Sequence, residues 1–245
     1  MSLLDGLIIF VGGVVAGVVN AMAGGGSLLT VPLLSLAGVS GLDANGTNRV
    51  AVLIQTVASG VGYHQGGVRP YRETARMAPP ALAGGLAGAL VVSSIDDDLF
   101  ERVFGLLMIP LLVLALWKPK TDAGSTTWSW PAVTAVFFAV GFYAGAIQAG
   151  VGILLLLVLT RAGFDLVVGN AIKTLLVILV TAIVALPVFI AKGQVEWLPA
   201  LVLSVGSGIG GYLGARAAAT RGEKIVKPVL IVSVVALSGR MIGIW

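Results

Sequence analysis

Apolar stretches at about 3–23, 45–63, 77–95, 99–117, 129–149, 169–191, 197–218 and 225–245 each approach the roughly 20 residues that a helix needs to cross a bilayer. A soluble domain averages about 45 to 50% apolar and about 25% charged residues. This chain is 58% apolar and 11% charged, with mean hydropathy +1.04. The expected fold class is an all-α polytopic membrane protein with about eight membrane-spanning segments. The longest polar connections are YHQGGVRPYRETAR and KPKTDAGSTTWS, so no sizeable soluble domain is expected. Asp5 stands where a signal peptide would carry basic residues, and the first helix reads as retained.

The first apolar stretch breaks in the sequence NAMAGGGSLLTVPLL, residues 20–34. Consecutive glycines and a proline are poor choices for a helix interior. Inside a membrane a broken backbone is tolerated only where it is buried in protein or lines a polar cavity. The same pattern returns in weaker form. AGVVNAMAG from Ala16 matches AGAIQAGVG from Ala144, pairing Asn20 with Gln148. AGVSGLDANGTN from Ala37 matches AGFDLVVGNAIK from Ala162, pairing Asn45 with Asn170 after a short gap. GGLAGA at Gly84 matches GGYLGA at Gly210, and ERV at Glu101 matches EKI at Glu223. Stations in one order at a nearly constant offset indicate two tandem halves. The expected division is a first transmembrane repeat at 1–117, a cytoplasmic linker at 118–128 and a second transmembrane repeat at 129–245.

Orientation follows from Lys and Arg. Placing 63–76, 118–128, 161–173 and 216–227 on the cytoplasmic side gathers most of the 15 basic residues there, as the positive-inside rule favours. For the chain to close on this plan, residues 3–38 and 129–161 must each form a hairpin. Their return arms, 27–38 and 151–162, would rise only about 18 Å as helix against a hydrocarbon core of about 30 Å. Each half then has an odd number of segments, so the second half begins on the opposite side from the first. The repeats are expected to be inverted, with both termini outside. Inverted repeats with helices interrupted at matching positions mark secondary transporters.

Other functions find less support. The chain has no cysteine and 1 histidine, and its 11 Asp and Glu residues lie in connections or near segment ends. An enzyme would need a nucleophile, base or metal set, so none is expected. No cofactor is implied: GGGS lacks the lysine of a phosphate-binding loop, and the GxGxxG at Gly206 has no βαβ context. The formal charge of +4 serves orientation, and no nucleic-acid partner is expected. His64 and the tryptophans fall at segment ends, as interfacial residues do. Gly84 with Gly88, and Gly206, Gly210 and Gly214, form stripes suited to helix packing or to a homodimer.

Over essentially its whole length the chain resembles the sulfite exporter TauE/SafE family of membrane permeases. The resemblance is carried by AGVVNAMAGGGSLLTVPLL at 16–34, ANGTNRVAV at 44–52, and the echoes AGAIQAGVG and VGNAIKT. It implies a secondary transporter of the cytoplasmic membrane that moves sulfite, sulfonates or other small anions. In the second half GVGILLLLVL lacks the triple glycine and proline that the family pattern often repeats.

The charges point the same way. With no carboxylate placed in mid-membrane, Arg49 and Lys173 are the ionisable groups at matching stations near the starts of two long helices, and such groups usually face a cavity or partner. Helix N-termini beside them would favour an anion. Asn20, Asn45, Thr47, Asn48, Gln148, Asn170 and Thr174 add neutral donors, and Gly24, Gly25 and Gly26 form the break. These residues make up the candidate substrate site. The expected partners are a small anion and the lipid bilayer. A passive anion channel and a permease for a non-sulfur anion stay open at this level.

Overall fold

A computed structural model describes residues 3–39, 41–116 and 129–221. The expected linker 118–128, the apolar stretch 225–245, the EKI match and the termini lie outside the described residues. Among the described residues all regular structure is helical: α1 Leu3–Ala23, α2 Ser27–Leu36, α3 Gly41–Gln65, α4 Tyr71–Val92, α5 Asp97–Leu116, α6 Trp130–Ala146, α7 Val151–Arg161, α8 Leu166–Val180, α9 Leu186–Ala191 and α10 Trp197–Arg221. A π-helical turn, Thr181–Ala185, joins α8 to α9. It has a local cause: Pro187 has no N–H to donate back to the preceding turn, and the helix widens to accommodate it.

Among the described residues, four segments are long and apolar enough to cross a membrane: Leu3–Met22, Tyr71–Val92, Leu166–Ala191 and Trp197–Thr220. α3 fails on hydropathy, not on length. Its 25 residues would span about 37 Å as helix, but Asn45, Thr47, Asn48, Arg49, Gln55, Thr56 and Ser59 are all buried on it. A helix enclosed by protein need not be apolar, because its polar groups find partners there.

Both hairpins are present as short helices. α2 has 10 residues and α7 has 11. The first break turns at Gly24, φ +77°. The second, without a triple glycine, turns instead at Gln148, φ +63°, and Gly150, φ +73°. A non-glycine residue in the left-handed region is costly, so Gln148 is held there by its surroundings. The two return helices end alike, at Gly38 with φ +86° and Gly163 with φ +89°.

The halves pack crosswise. α1 lies along α10, which also flanks α3; in the same manner α6 lies along α4, which also flanks α8. Each half thus lends its first helix to the fourth helix of the other. Glycine permits this contact. A Cβ on Gly206 or Gly210 of α10 would strike the Phe10 or Val14 carbonyl of α1, and one on Gly84 or Gly88 of α4 would strike the Phe138 or Phe142 carbonyl of α6. Both stripes are buried within the chain, so a homodimer would have to use other surfaces.

Candidate functional site

The crossed packing sets each break against the central helix of the opposite half. At the end of α6 three successive carbonyls point toward α3. Arg49 meets them with its guanidinium fork: Nη1 donates to Ala144 O at 3.0 Å, and Nη2 donates to Gly145 O at 2.5 Å and Ala146 O at 2.9 Å. Asn45, one turn earlier, donates Nδ2 to the same Ala146 O at 2.9 Å. Arg49 has no exposed surface, and its guanidinium carbon lies 4.3 Å from the Phe189 ring centroid.

The end of α1 is held in the same way by α8. Lys173 Nζ donates to Asn20 O at 2.6 Å and to Asn170 Oδ1 at 2.8 Å. Asn170 Nδ2 donates to Met22 O at 2.9 Å, and Tyr63 from α3 donates to Ala21 O at 2.7 Å. Cations suit both places, because the last turn of a helix presents unpaired carbonyls and the negative end of its dipole. The sequence reading put helix N-termini beside Arg49 and Lys173. The groups they touch are the C-terminal carbonyls of α1 and α6, and the N-termini of α2 and α7 lie across the breaks.

The two breaks also touch each other. Gly24 and Gly152 abut so closely that a Cβ on either would collide with the other's backbone, and Gly150 N–H donates to Ser27 Oγ at 3.0 Å. Gly26 is pressed against Ala16 and Asn20 of α1, and Gly25 is buried between its neighbours. Gly24 therefore serves close backbone approach between the two breaks, and Gly26 close approach between α2 and α1.

The remaining sequence-predicted residues divide. Asn20 Nδ2 donates to Gln55 Oε1 at 2.5 Å, and Gln148 Nε2 donates to Thr181 Oγ1 at 3.0 Å, which ties the second break to the π-turn. Thr174 donates only to Asn170 O, one turn back on its own helix. Thr47 points elsewhere, its hydroxyl accepting from Glu196 N–H at 2.8 Å. Asn48, the register equivalent of Lys173, is fully buried with neither side-chain polar atom partnered. Asn45 Oδ1, Arg49 Nε and Gln148 Oε1 are likewise without partners. Orphaned buried polar atoms cost about 1 to 3 kcal/mol each.

Sequence reasoning missed Ser27, Thr30, Gln55, Ser59, Thr181 and Ser207. Gln55 Nε2 donates to Ser59 Oγ at 2.7 Å, extending the chain of amides that starts at Asn20. Gln55 and Ser59 were discoverable. With Asn45, Asn48 and Val52 they fall at helical spacing on one face of α3. Thr181 carried no signal, since its bond to Gln148 spans the fold.

Around Asn20 and Gln55 lies a narrow cavity, reached by α1, α2, α3 and α10.

The family model described as Sulfite exporter TauE/SafE matches residues 9–241. The chain belongs to the TauE/SafE family. Among its relatives, a Sinorhizobium sp. protein named Probable membrane transporter protein ORF9 is 29% identical over 96% of this chain and 91% of its own length. The Escherichia coli K12 protein named Probable membrane transporter protein YfcA is 28% identical over 98% of this chain and 90% of its own. A Haemophilus influenzae protein, named Probable membrane transporter protein, is 25% identical over 96% and 93%. No solved structure matches the chain at a significant level. With this membership, the helical fold and the apolar spans, the chain is a multi-pass membrane transporter. The TauE/SafE model reaches across both breaks and both cation clamps.

Proposed function

We propose that the chain is a secondary transporter that exports small anions, sulfite or sulfonates first among them, by alternating access between two inverted repeats. The observation that carries this reading is the composition of the interior. Among the described residues the buried polar set includes Arg49 and Lys173 with amides and hydroxyls, and no Asp or Glu. Carbonyl dipoles stabilise both cations but do not cancel their charge, so the interior is net positive and favours an anion. The inverted-repeat plan is supported by the crosswise packing and by the paired clamps. Division at 1–117, 118–128 and 129–245, location in the cytoplasmic membrane and termini outside belong to the same reading.

Among the described residues no buried acid is available to couple protons, so export would run on the membrane potential. An inside-negative potential of about 100 mV favours outward movement of one negative charge by about 2.3 kcal/mol. The test is efflux from proteoliposomes loaded in turn with sulfite, sulfate, methanesulfonate and a small organic cation. Flux of one or more anions above protein-free liposomes, with none for the cation, is expected. Cation flux alone would overturn the reading. Orientation is checked with cysteines at Ser2 and after Trp245, which should react with an impermeant thiol reagent in intact cells; protection of both rejects it.

A further inference from the structure

Two cavities lie at matching stations, each walled by three helices of one half and one of the other, and they differ in chemistry. The second lies between α4, α6, α7 and α8 and is lined without a polar side chain. Register makes the comparison direct. Thr30 in the first cavity and Leu155 in the second stand at equal distances before the paired turns Gly38 and Gly163. Gln55 and Val180 stand equally far after Asn45 and Asn170, and Ser207 and Ala81 equally far before Gly210 and Gly84. At all three stations the first cavity has a hydrogen-bonding side chain where the second has an aliphatic one.

The polar cavity is rich in donors and free of carboxylates. Among the described residues, Asn20 and Gln55 each use one amide proton of two in the chain that ends at Ser59. Ser207 Oγ donates only at 3.3 Å to Ala51 O and 3.4 Å to Ser204 O, long bonds that a better acceptor would displace. Asn20 also joins the cavity to the cation clamp. Its side chain lines the space, while its carbonyl receives Lys173 Nζ.

We propose that the polar cavity alone is the resting site of a small tetrahedral or pyramidal oxyanion, held by the amides of Asn20 and Gln55 and the hydroxyls of Thr30 and Ser207, with Lys173 supplying charge. This rests on the reading of the chain as an anion transporter and adds that its two matching cavities are unequal: one binds, the other closes over apolar packing. Neutral donors suffice for such a ligand because an oxyanion accepts hydrogen bonds on several oxygens.

The natural absence of cysteine makes the test clean. Ser207→Cys and Ala81→Cys are purified separately, checked for monodispersity, and treated with the anionic reagent MTSES or the cationic reagent MTSET, each rate normalised to that of a free thiol. Mass spectrometry reads the product. Ser207→Cys should favour the anionic reagent by at least about tenfold, as a site of positive potential does, and methanesulfonate should slow the reaction. Ala81→Cys should remain unmodified. Equal preference, no modification of Ser207→Cys, or equal modification of Ala81→Cys overturns the proposal. Gln55→Val gives a second readout: KM for the transported anion should rise about tenfold, the value of one hydrogen bond to a charged group. An unchanged KM in an active transporter overturns the site and leaves the transport reading intact. Selective, methanesulfonate-protected modification in a chain that moves no anion supports the site and fails the transport reading alone.

Discussion

Lys173→Met is expected to lower anion flux by about 100-fold, equivalent to about 2.7 kcal/mol in the rate-limiting step, with insertion and monodispersity retained. The substitution removes the ammonium that Asn20 O and Asn170 Oδ1 share, but both acceptors lie beside polar neighbours that can rearrange. Lys173→Arg should recover part of the flux, because the charge returns with a different shape. The companion change, Arg49→Met, removes the donor group from three carbonyls at once. Ala146 O keeps Asn45, but leaving the Ala144 and Gly145 carbonyls unpaired costs about 1 to 3 kcal/mol each, so this variant should lose stability as well as flux. The two clamps belong to opposite halves and should not fail alike: Lys173→Met should chiefly impair capture from the cytoplasm, and Arg49→Met the outer step. Efflux from liposomes separated by protein orientation measures this, and identical effects on both steps would count against a division of labour.

Gly24→Leu should abolish transport outright. Gly24 has φ +77°, where an L-residue is strained, and its Cβ would run into the backbone of Gly152. The contact joins the breaks of the two halves, so a side chain there would wedge them apart where they must approach. The helices on either side keep their apolar faces, and the protein should still insert. Gly26→Leu should act similarly through Ala16 and Asn20. Near wild-type flux from either variant, with normal expression, would show that close approach of the breaks is dispensable.

The helical class and both breaks were legible because each is written locally, in apolar run length and in glycine and proline. The partners of Arg49 and Lys173 were not. Each reaches carbonyls about 100 to 150 residues distant, at the end of a helix in the opposite half, and no local pattern encodes crossed packing. The second break was underread for a related reason. It has no glycine run, and Gln148 occupies the left-handed region that glycine fills elsewhere, tied to Thr181 across the fold. The glycine stripes show the limit of a motif: their spacing announced helix packing, but only the structure shows α1 and α6 as the partners.

The central claim is that an anion moves, alone, between two cationic clamps. Its most direct test is the current recorded when proteoliposomes adsorbed on a solid-supported membrane receive a jump of the anion that the flux panel identifies, with sodium and pH equal on both sides. The account predicts a transient carrying negative charge in the direction of the anion gradient, enhanced by a valinomycin-imposed potential of matching sign and absent in Lys173→Met. Flux that ignores potential and follows a sodium or proton gradient, or a current carrying positive charge, would contradict it.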